Sequence, residues 1–357
     1  MLNAAHDSND ETGMSTDGII HHEDLQPGAI YPLGTRTLSK DEIIAFARAF
    51  DPQPMHVDEE AAKHTLVGGL CASGWHTSGI MMRMACDGVL LRTASLGSPG
   101  VDVMRWKKPV RPGVPYTGQY RVLEARDMAS RADVGLSKIT VELMDDTGEL
   151  AAAWISIQLT RRRTPLAVKP APAASSAARA PLRDIWSVPA APPGQNADGY
   201  FEDRQIGETV EFPAYLFTRD AILDFARQFD PQPFHLDEEA AKASLFGALC
   251  ASGWHTGSAF IRRVVEARSN VPPPRPGEKR PAYGPSPGFR DLRWFKPVYV
   301  GDSITFRSQV SGKIDMKSRP TRGIIENEVQ GRNQKGEVVI ALTSQIIAER
   351  RSAYRAD

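Results

Sequence analysis

The chain has 357 residues, enough for two or three domains, and its 43 Lys and Arg balance its 43 Asp and Glu. That balance argues against a dedicated nucleic-acid binder, which carries a basic stripe and a high pI. Hydrophobic residues at 41% and charged residues at 24% exclude a largely disordered or collagen-like chain.

Residues 1–24 hold six acidic side chains and no Lys or Arg, which predicts a disordered acidic tail with no chemistry in its three histidines. Met1–Asp10 shows neither the basic start nor the apolar stretch of a secretory leader. A strand is expected near Ala29–Thr37, then a short amphipathic helix over Ser39–Phe50, with Ser39 and Glu42 placed as a capping box. Asp58, followed by Glu59 and Glu60, suits a helix N-terminus. An apolar helix is expected from Ala72 to about Asp87, and then strands over Val101–Val110, Tyr116–Ala125, Ser137–Met144 and Leu150–Leu159. The same order begins again with a strand over Thr209–Phe217. No apolar run approaches the roughly 18 residues that span a bilayer. Cys71, Cys86 and Cys250 form no CxxC pair, so free thiols in a reducing cytoplasm are expected, with neither disulfide nor structural zinc.

The second appearance is a duplication. Phe46–Thr77 and Phe225–Thr256 agree at 25 of 32 positions at an offset of 179. Trp106-Lys107-Lys108-Pro109-Val110 returns as Trp294-Phe295-Lys296-Pro297-Val298 at an offset of 188, so the second copy carries nine extra residues, placed in the Pro-rich stretch Val271–Pro287. A period this long means two copies of a domain rather than a solenoid. Arg163–Asp198, with seven prolines and ten alanines, reads as an extended linker over the surface. The chain thus divides into a tail (1–24), an N-terminal domain (25–162), a linker (163–198) and a C-terminal domain (199–351). One long buried helix with an antiparallel sheet in each copy gives the class α+β.

The chemistry concentrates in Asp51-Pro52-Gln53-Pro54-Met55-His56 and its copy Asp230–His235. Pro52 ends the preceding helix at Asp51, and Pro54 draws Gln53 toward an extended shape. The stiff step aims a carboxylate and an imidazole at one point, a pair that can hold a water and move protons near neutral pH. Gln53 and Gln232 are amides able to orient one of them. Small residues at the start of the apolar helix, Ala72-Ser73-Gly74 and Ala251-Ser252-Gly253, let a ligand approach the backbone. There the Gly74 and Gly253 amides, with the Ser73 and Ser252 hydroxyls, are candidates for stabilising developing negative charge. His76 and His255 read as structural, Cys71 and Cys250 as small buried residues, and Asp58 and Asp237 as caps. Trp75 and Trp254 fit a pocket wall or the core equally. Lys63, Arg83 and Lys108, with Lys242, Arg262 and Lys296, read as solvated surface or as contacts to ligand phosphates.

Asp-x-x-Pro-x-His-x-Asp, with a small-residue helix start roughly fifteen residues on, resembles the MaoC-like (R)-specific enoyl-CoA hydratase family in both copies, about residues 25–160 and 203–348. The resemblance implies two tandem hotdog domains, each an antiparallel sheet wrapped around a long central helix, joined as a pseudo-dimer within one chain and leaving a further homodimer open. It implies Asp51/His56 and Asp230/His235 as catalytic pairs that activate water for addition to a trans-2-enoyl-CoA, an (R)-3-hydroxyacyl-CoA product, and a place in fatty acid metabolism. It also implies that a glycine amide holds the thioester oxygen. No cofactor is expected beyond the coenzyme A of the substrate. Gln53 and Gln232 stand where the family commonly has Asn, and Ser73 and Ser252 where it commonly has His. A hotdog thioesterase, or a non-catalytic acyl-CoA-binding protein, is the competing reading. No Gly-rich nucleotide loop or metal-ligand cluster is present.

Overall fold

A computed structural model describes residues 18–167, 181–191, 199–269, 281 and 284–352. In the N-terminal half, β1 (Ile30–Thr37) leads into α1 (Lys40–Phe50), α2 (Pro54–Val57), α3 (Glu59–Lys63) and the long α4 (Gly74–Gly88). Then follow β2 (Gly100–Trp106), β3 (Pro115–Asp127), β4 (Val134–Met144) and β5 (Leu150–Arg161). The C-terminal half repeats this as β6 (Thr209–Leu216), α5 (Arg219–Phe229), α6 (Pro233–Leu236), α7 (Glu238–Ala243), α8 (Gly253–Ser269), β7 (Gly288–Trp294), β8 (Ser303–Asp315), β9 (Arg322–Arg332) and β10 (Val338–Glu349).

The capping chemistry falls where the sequence puts it. The Ser39 hydroxyl accepts from the Glu42 amide and the Glu42 carboxylate accepts from the Ser39 amide, while Thr218 caps α5. Asp58 and Asp237 cap α3 and α7. Each such cap stabilises its helix by about 1 kcal/mol. The expected strand Val101–Val110 ends earlier, at Trp106, because Lys107–Pro109 turns the chain away.

The ten strands form one antiparallel sheet in the order β1-β3-β4-β5-β2-β7-β10-β9-β8-β6. Its centre is the β2–β7 pair, Val101 opposite Leu292 and Val103 opposite Arg290, which joins the halves edge to edge. The backbones approach so closely that a Cβ on Gly288, held at φ +142°, would run into the Met104 carbonyl, and one on Gly100 into that of Leu292. Helices α4 and α8 lie against this sheet and are buried along most of their length. The arginine contacts between the halves come as a reciprocal pair, in the manner of a two-fold interface. Arg83 donates to the Arg227 carbonyl and Arg262 to the Arg48 carbonyl, both at 2.8 Å, so each central helix caps the C-terminal turn of the other half's first helix. Trp75 stacks on Phe289 at 5.1 Å and meets Trp254 edge-on at 6.4 Å.

Two expectations are corrected. The acidic tail does not extend to residue 24. Ile20 bridges Thr93, His22–Asp24 form a short 3-10 helix, and Leu25 is fully buried. The acids mislead because their partners lie far along the chain: Glu23 pairs with Arg162 and Asp24 with Arg163. His22 packs on Gly135 as Phe201 packs on Gly323. Residues 1–17 lie outside the described residues. The linker is docked where it is described: Ile185 is buried, and the Trp186 ring sits between Arg307 and Arg332, at 4.6 and 4.5 Å. Residues 168–180 and 192–198 lie outside the described residues, as does most of Val271–Pro287.

Candidate active site

Asp51 is the residue after α1, and its amide still bonds the Ala47 carbonyl. Pro54 opens α2, which turns His56 back toward Asp51. The result is tight and buried. Asp51 Oδ1 accepts from Gln53 Nε2 at 2.8 Å, and Oδ2 accepts from the Ser73 hydroxyl at 2.6 Å. His56 Nδ1 lies 2.8 Å from the Cys71 carbonyl. A carbonyl only accepts, so Nδ1 carries a proton, and in the neutral ring Nε2 presents a lone pair. That lone pair lies 3.7 Å from Asp51 Oδ2. Two acceptors at this distance do not bond each other; a molecule with two O–H bonds can donate one to each.

The second copy matches it. Asp230 accepts from Gln232 at 3.0 Å and from Ser252 at 2.6 Å, His235 Nδ1 lies 2.8 Å from the Cys250 carbonyl, and its Nε2 is 3.5 Å from Asp230 Oδ2. Both pairs abut the start of a central helix. Gly74 and Gly253 are the first residues of α4 and α8, so helical geometry supplies no intrahelical acceptor for their amides. Each glycine is also required by space, because a Cβ on Gly74 would lie 2.7 Å from the Trp106 ring and one on Gly253 would overlap Trp294.

All ten candidate residues (Asp51, Gln53, His56, Ser73 and Gly74, with Asp230, Gln232, His235, Ser252 and Gly253) thus gather at two equivalent points. Each point opens into a cavity walled by the other half. Asp51 and His56 share theirs, about 750 Å³, with α8, β9 and β10; Asp230 and His235 share theirs, about 330 Å³, with α4, β4 and β5. These are sizes typical of small-molecule sites.

The histidines read as structural remain so. His76 stacks on Phe46 at 4.5 Å and His255 on Phe225 at 4.6 Å. Burial lowers both to a pKa of about 3, so they are neutral. Burial pushes Cys71 up to about 11 and Cys250 to about 12. The basic residues offered for phosphates are already engaged. Lys63 and Lys242 pair with Glu60 and Glu239, Lys108 with Asp145 and Glu149, and Lys296 with Glu337; Arg83 and Arg262 bond the other half.

Sequence reasoning missed three things. Cys86 of α4 donates to Asp230 Oδ1 at 3.6 Å, across the interface, where the other site has Val265. Ser95 bonds Gln232 and Gln158, extending that network. Arg111 holds the carbonyls of Val67, Gly69 and Leu70 beside the Asp51 site, whereas Tyr299 holds the Phe246 carbonyl beside the other. The substitution of Tyr for Arg conceals their common task. Among the described residues, no three His, Cys, Asp or Glu gather as a metal site, and no helix is long and apolar enough to cross a membrane.

The family model of the MaoC-like domain matches residues 27–142 and 202–333. An uncharacterised Bacillus subtilis protein, YdeM, is 34% identical over 85 residues, 24% of this chain and 60% of that one. The chain therefore spans about three fifths of that relative. The (R)-specific enoyl-CoA hydratase of Rhodospirillum rubrum is 25% identical over 118 residues, 33% of this chain and 74% of the hydratase. Two solved structures share the fold over nearly the full length. One, from Chloroflexus aurantiacus and named as a MaoC domain dehydratase, has a TM-score of 0.75 at 15% identity, covering 95% of this chain and 99% of the other. A Mycobacterium tuberculosis protein with a double hotdog fold has a TM-score of 0.68 at 14% identity, covering 94% and 100%.

Proposed function

The chain belongs to the MaoC-like domain family, in which it carries two copies of the domain, and we propose on that premise that it is an acyl-CoA hydro-lyase adding water reversibly to a trans-2-enoyl-CoA. The supporting observation is the facing of two acceptors, Asp51 Oδ2 and His56 Nε2, beside a helix start and at the mouth of a cavity, repeated in Asp230 and His235. A water donating one hydrogen to each has its own lone pair turned outward, toward a bound double bond. As the C3–O bond forms, one water proton passes to the imidazole, the usual acceptor near neutral pH. The electrons of the double bond move through C2 onto the thioester oxygen. The Gly74 or Gly253 amide, reinforced by the helix N-terminus, stabilises that charge. The proton then returns to C2, so one water adds in full and nothing else is consumed. The (R) configuration of the product rests on the resemblance and on the name of the Rhodospirillum rubrum relative. Coenzyme A enters only as part of the substrate. The three buried free thiols suit a reducing compartment such as the cytoplasm.

The test follows loss of the enoyl absorbance with a short and a medium trans-2-enoyl-CoA for wild type, Asp51→Asn, Asp230→Asn and the double variant. Each single variant is expected to keep about half the crotonyl-CoA turnover and the double variant to lose it, as two independent sites require. Unchanged absorbance with release of free coenzyme A would instead make the chain a thioesterase.

A further inference from the structure

Asp51 and Asp230 are held alike from within their own halves and differently from across the interface. A carboxylate only accepts, so the Gln232 amide turns its NH2 to Asp230 Oδ1, at 3.0 Å, and its carbonyl away. Gln232 is buried, and its carbonyl meets the Ser95 hydroxyl of the other half at 3.2 Å. That hydroxyl has a single hydrogen, which goes to the carbonyl, so it accepts from Gln158 Nε2 at 2.7 Å and from the Gly97 amide at 3.2 Å. Donation therefore runs in one direction, from Gln158 through Ser95 and Gln232 to Asp230. The donors are fixed in place: Ser95 bridges Thr160, a close neighbour of buried Gln158 on β5, and the Leu96 amide bonds the Leu159 carbonyl at 2.9 Å. Cys86 of α4 adds a direct donor to Asp230 Oδ1 at 3.6 Å. Burial and the neighbouring carboxylate push its thiol well above the ordinary range, so it keeps its hydrogen. The counterparts of these two donors in the other half cannot donate: Gln158 corresponds to Ile346 at the offset of 188, and Cys86 to Val265 at the offset of 179. Ser95 corresponds to Tyr283, which lies outside the described residues.

We propose that the N-terminal half supplies positioning residues to the site of the C-terminal half: Gln158, acting through Ser95 and Gln232, and Cys86, acting directly, hold the Asp230 carboxylate toward His235. This deepens the hydratase reading and rests on it. The terminal torsion of a carboxylate is soft, and Ser252 holds only Oδ2. The other oxygen is held by Gln232, whose carbonyl is buried and needs a donor of its own. Ser95 is that donor, and Gln158 keeps the Ser95 hydrogen aimed at Gln232 by occupying the hydroxyl from behind. The effect of each residue should therefore weaken with its distance from Asp230 along the chain. The dependence runs one way. Asp51, Gln53, His56, Ser73 and Gly74 take no part in it, so the two sites remain separable and the even division of crotonyl-CoA turnover between them stands.

Asp51→Asn leaves the Asp230 site, and Asp230→Asn leaves the other. With crotonyl-CoA in the Asp51→Asn chain, Ser95→Ala is expected to lower kcat about 10-fold and Gln158→Met, one link further away, about 3-fold, with KM moving less than ~2-fold. Ser95→Thr keeps the hydroxyl and is expected to recover most of the first loss. Cys86→Val, which copies the other half, is expected to lower kcat about 3-fold, and Cys86→Ser to retain it. Each loss is expected to be larger in Asp51→Asn than in Asp230→Asn, where the chain has no carboxylate to hold. Equal losses in the two backgrounds would make these residues merely structural and overturn the proposal, as would an unchanged kcat for Ser95→Ala. Urea midpoints of the same chains separate this failure from failure of the hydratase reading. In Asp230→Asn the new amide can face either end of Gln232, so Ser95→Ala is expected to lower the midpoint less there than in Asp51→Asn. Equal midpoint shifts would overturn the chain of donors. Unequal shifts in a protein that turns over no enoyl-CoA would sink the hydratase reading alone and still support the chain.

Discussion

The Ser73 hydroxyl donates to Asp51 Oδ2 at 2.6 Å and accepts from the Trp75 amide at 3.2 Å, so one side chain both caps α4 and fixes the carboxylate. Ser252 does the same for α8 and Asp230. The orientation of each carboxylate is therefore tied to the start of the central helix. Ser73→Ala, made in the Asp230→Asn background, removes a buried hydrogen bond to a charged group, a loss of about 2 kcal/mol or about 30-fold. The expected fall is in kcat more than KM, because Ser73 positions Asp51. Ser73→Thr is expected to recover part of it. A fall in thermal stability with kcat intact would reduce Ser73 to a cap.

The thiols offer a contrasting prediction. Cys71 and Cys250 lie beside His56 and His235, 3.8 and 3.7 Å from Nδ1, a neighbourhood that invites a nucleophile reading. Burial raises both thiols far above neutrality, so little thiolate exists at pH 7.5. Iodoacetamide under native conditions is expected to leave both unlabelled and the proposed hydratase activity intact. Labelling in urea serves as the control.

Much of the fold and of the site is legible in the amino-acid sequence. Asp51 and His56 stand out because two prolines and a near-identical copy restrict the backbone between them. Ser39 and Asp58 announce their helices because capping is local chemistry. The differing linings of the two cavities are not legible. Tyr120 and Ser308, or Ile139 and Asn327, become counterparts only once strands β3, β4, β8 and β9 are in register, and that register is set by pairings far apart in sequence. The burial of His22 is hidden for the same reason, since its cover, Gly135, is 113 residues away along the chain.

His76 and His255 make stability depend on pH in a definite direction. Both are neutral when folded, with pKa lowered to about 3, and in the unfolded chain they titrate near 6.5. Below pH 6.5 the unfolded state therefore binds more protons, and stability falls as the pH drops from 6.5 toward 3. Between pH 7 and pH 5 each contributes a loss of about 2 kcal/mol. Urea midpoints at the two pH values check this. The double variant His76→Phe, His255→Phe keeps the stacking surface and is expected to lose most of that difference. An unaltered difference would assign the acid sensitivity to other groups.

Packing at the interface gives the last prediction. Gly257 lies inside α8, where glycine is about 1 kcal/mol worse than alanine for the helix itself. It is there because Trp75 of the other half fills the space, and a Cβ would overlap the indole ring. Trp75 has no retreat, being stacked on Phe289 at 5.1 Å and set edge-on against Trp106 at 6.0 Å. Overpacking costs about 1–3 kcal/mol and exceeds the propensity gain, so Gly257→Ala is expected to destabilise the chain by about 1–2 kcal/mol. Gly79→Ala in α4 would place its Cβ 3.0 Å from the Phe229 ring, a milder intrusion. The urea midpoint should fall further for Gly257→Ala than for Gly79→Ala. The reverse order would mean that the Trp75 side of the interface yields more easily than the Phe229 side, contrary to the packing around it.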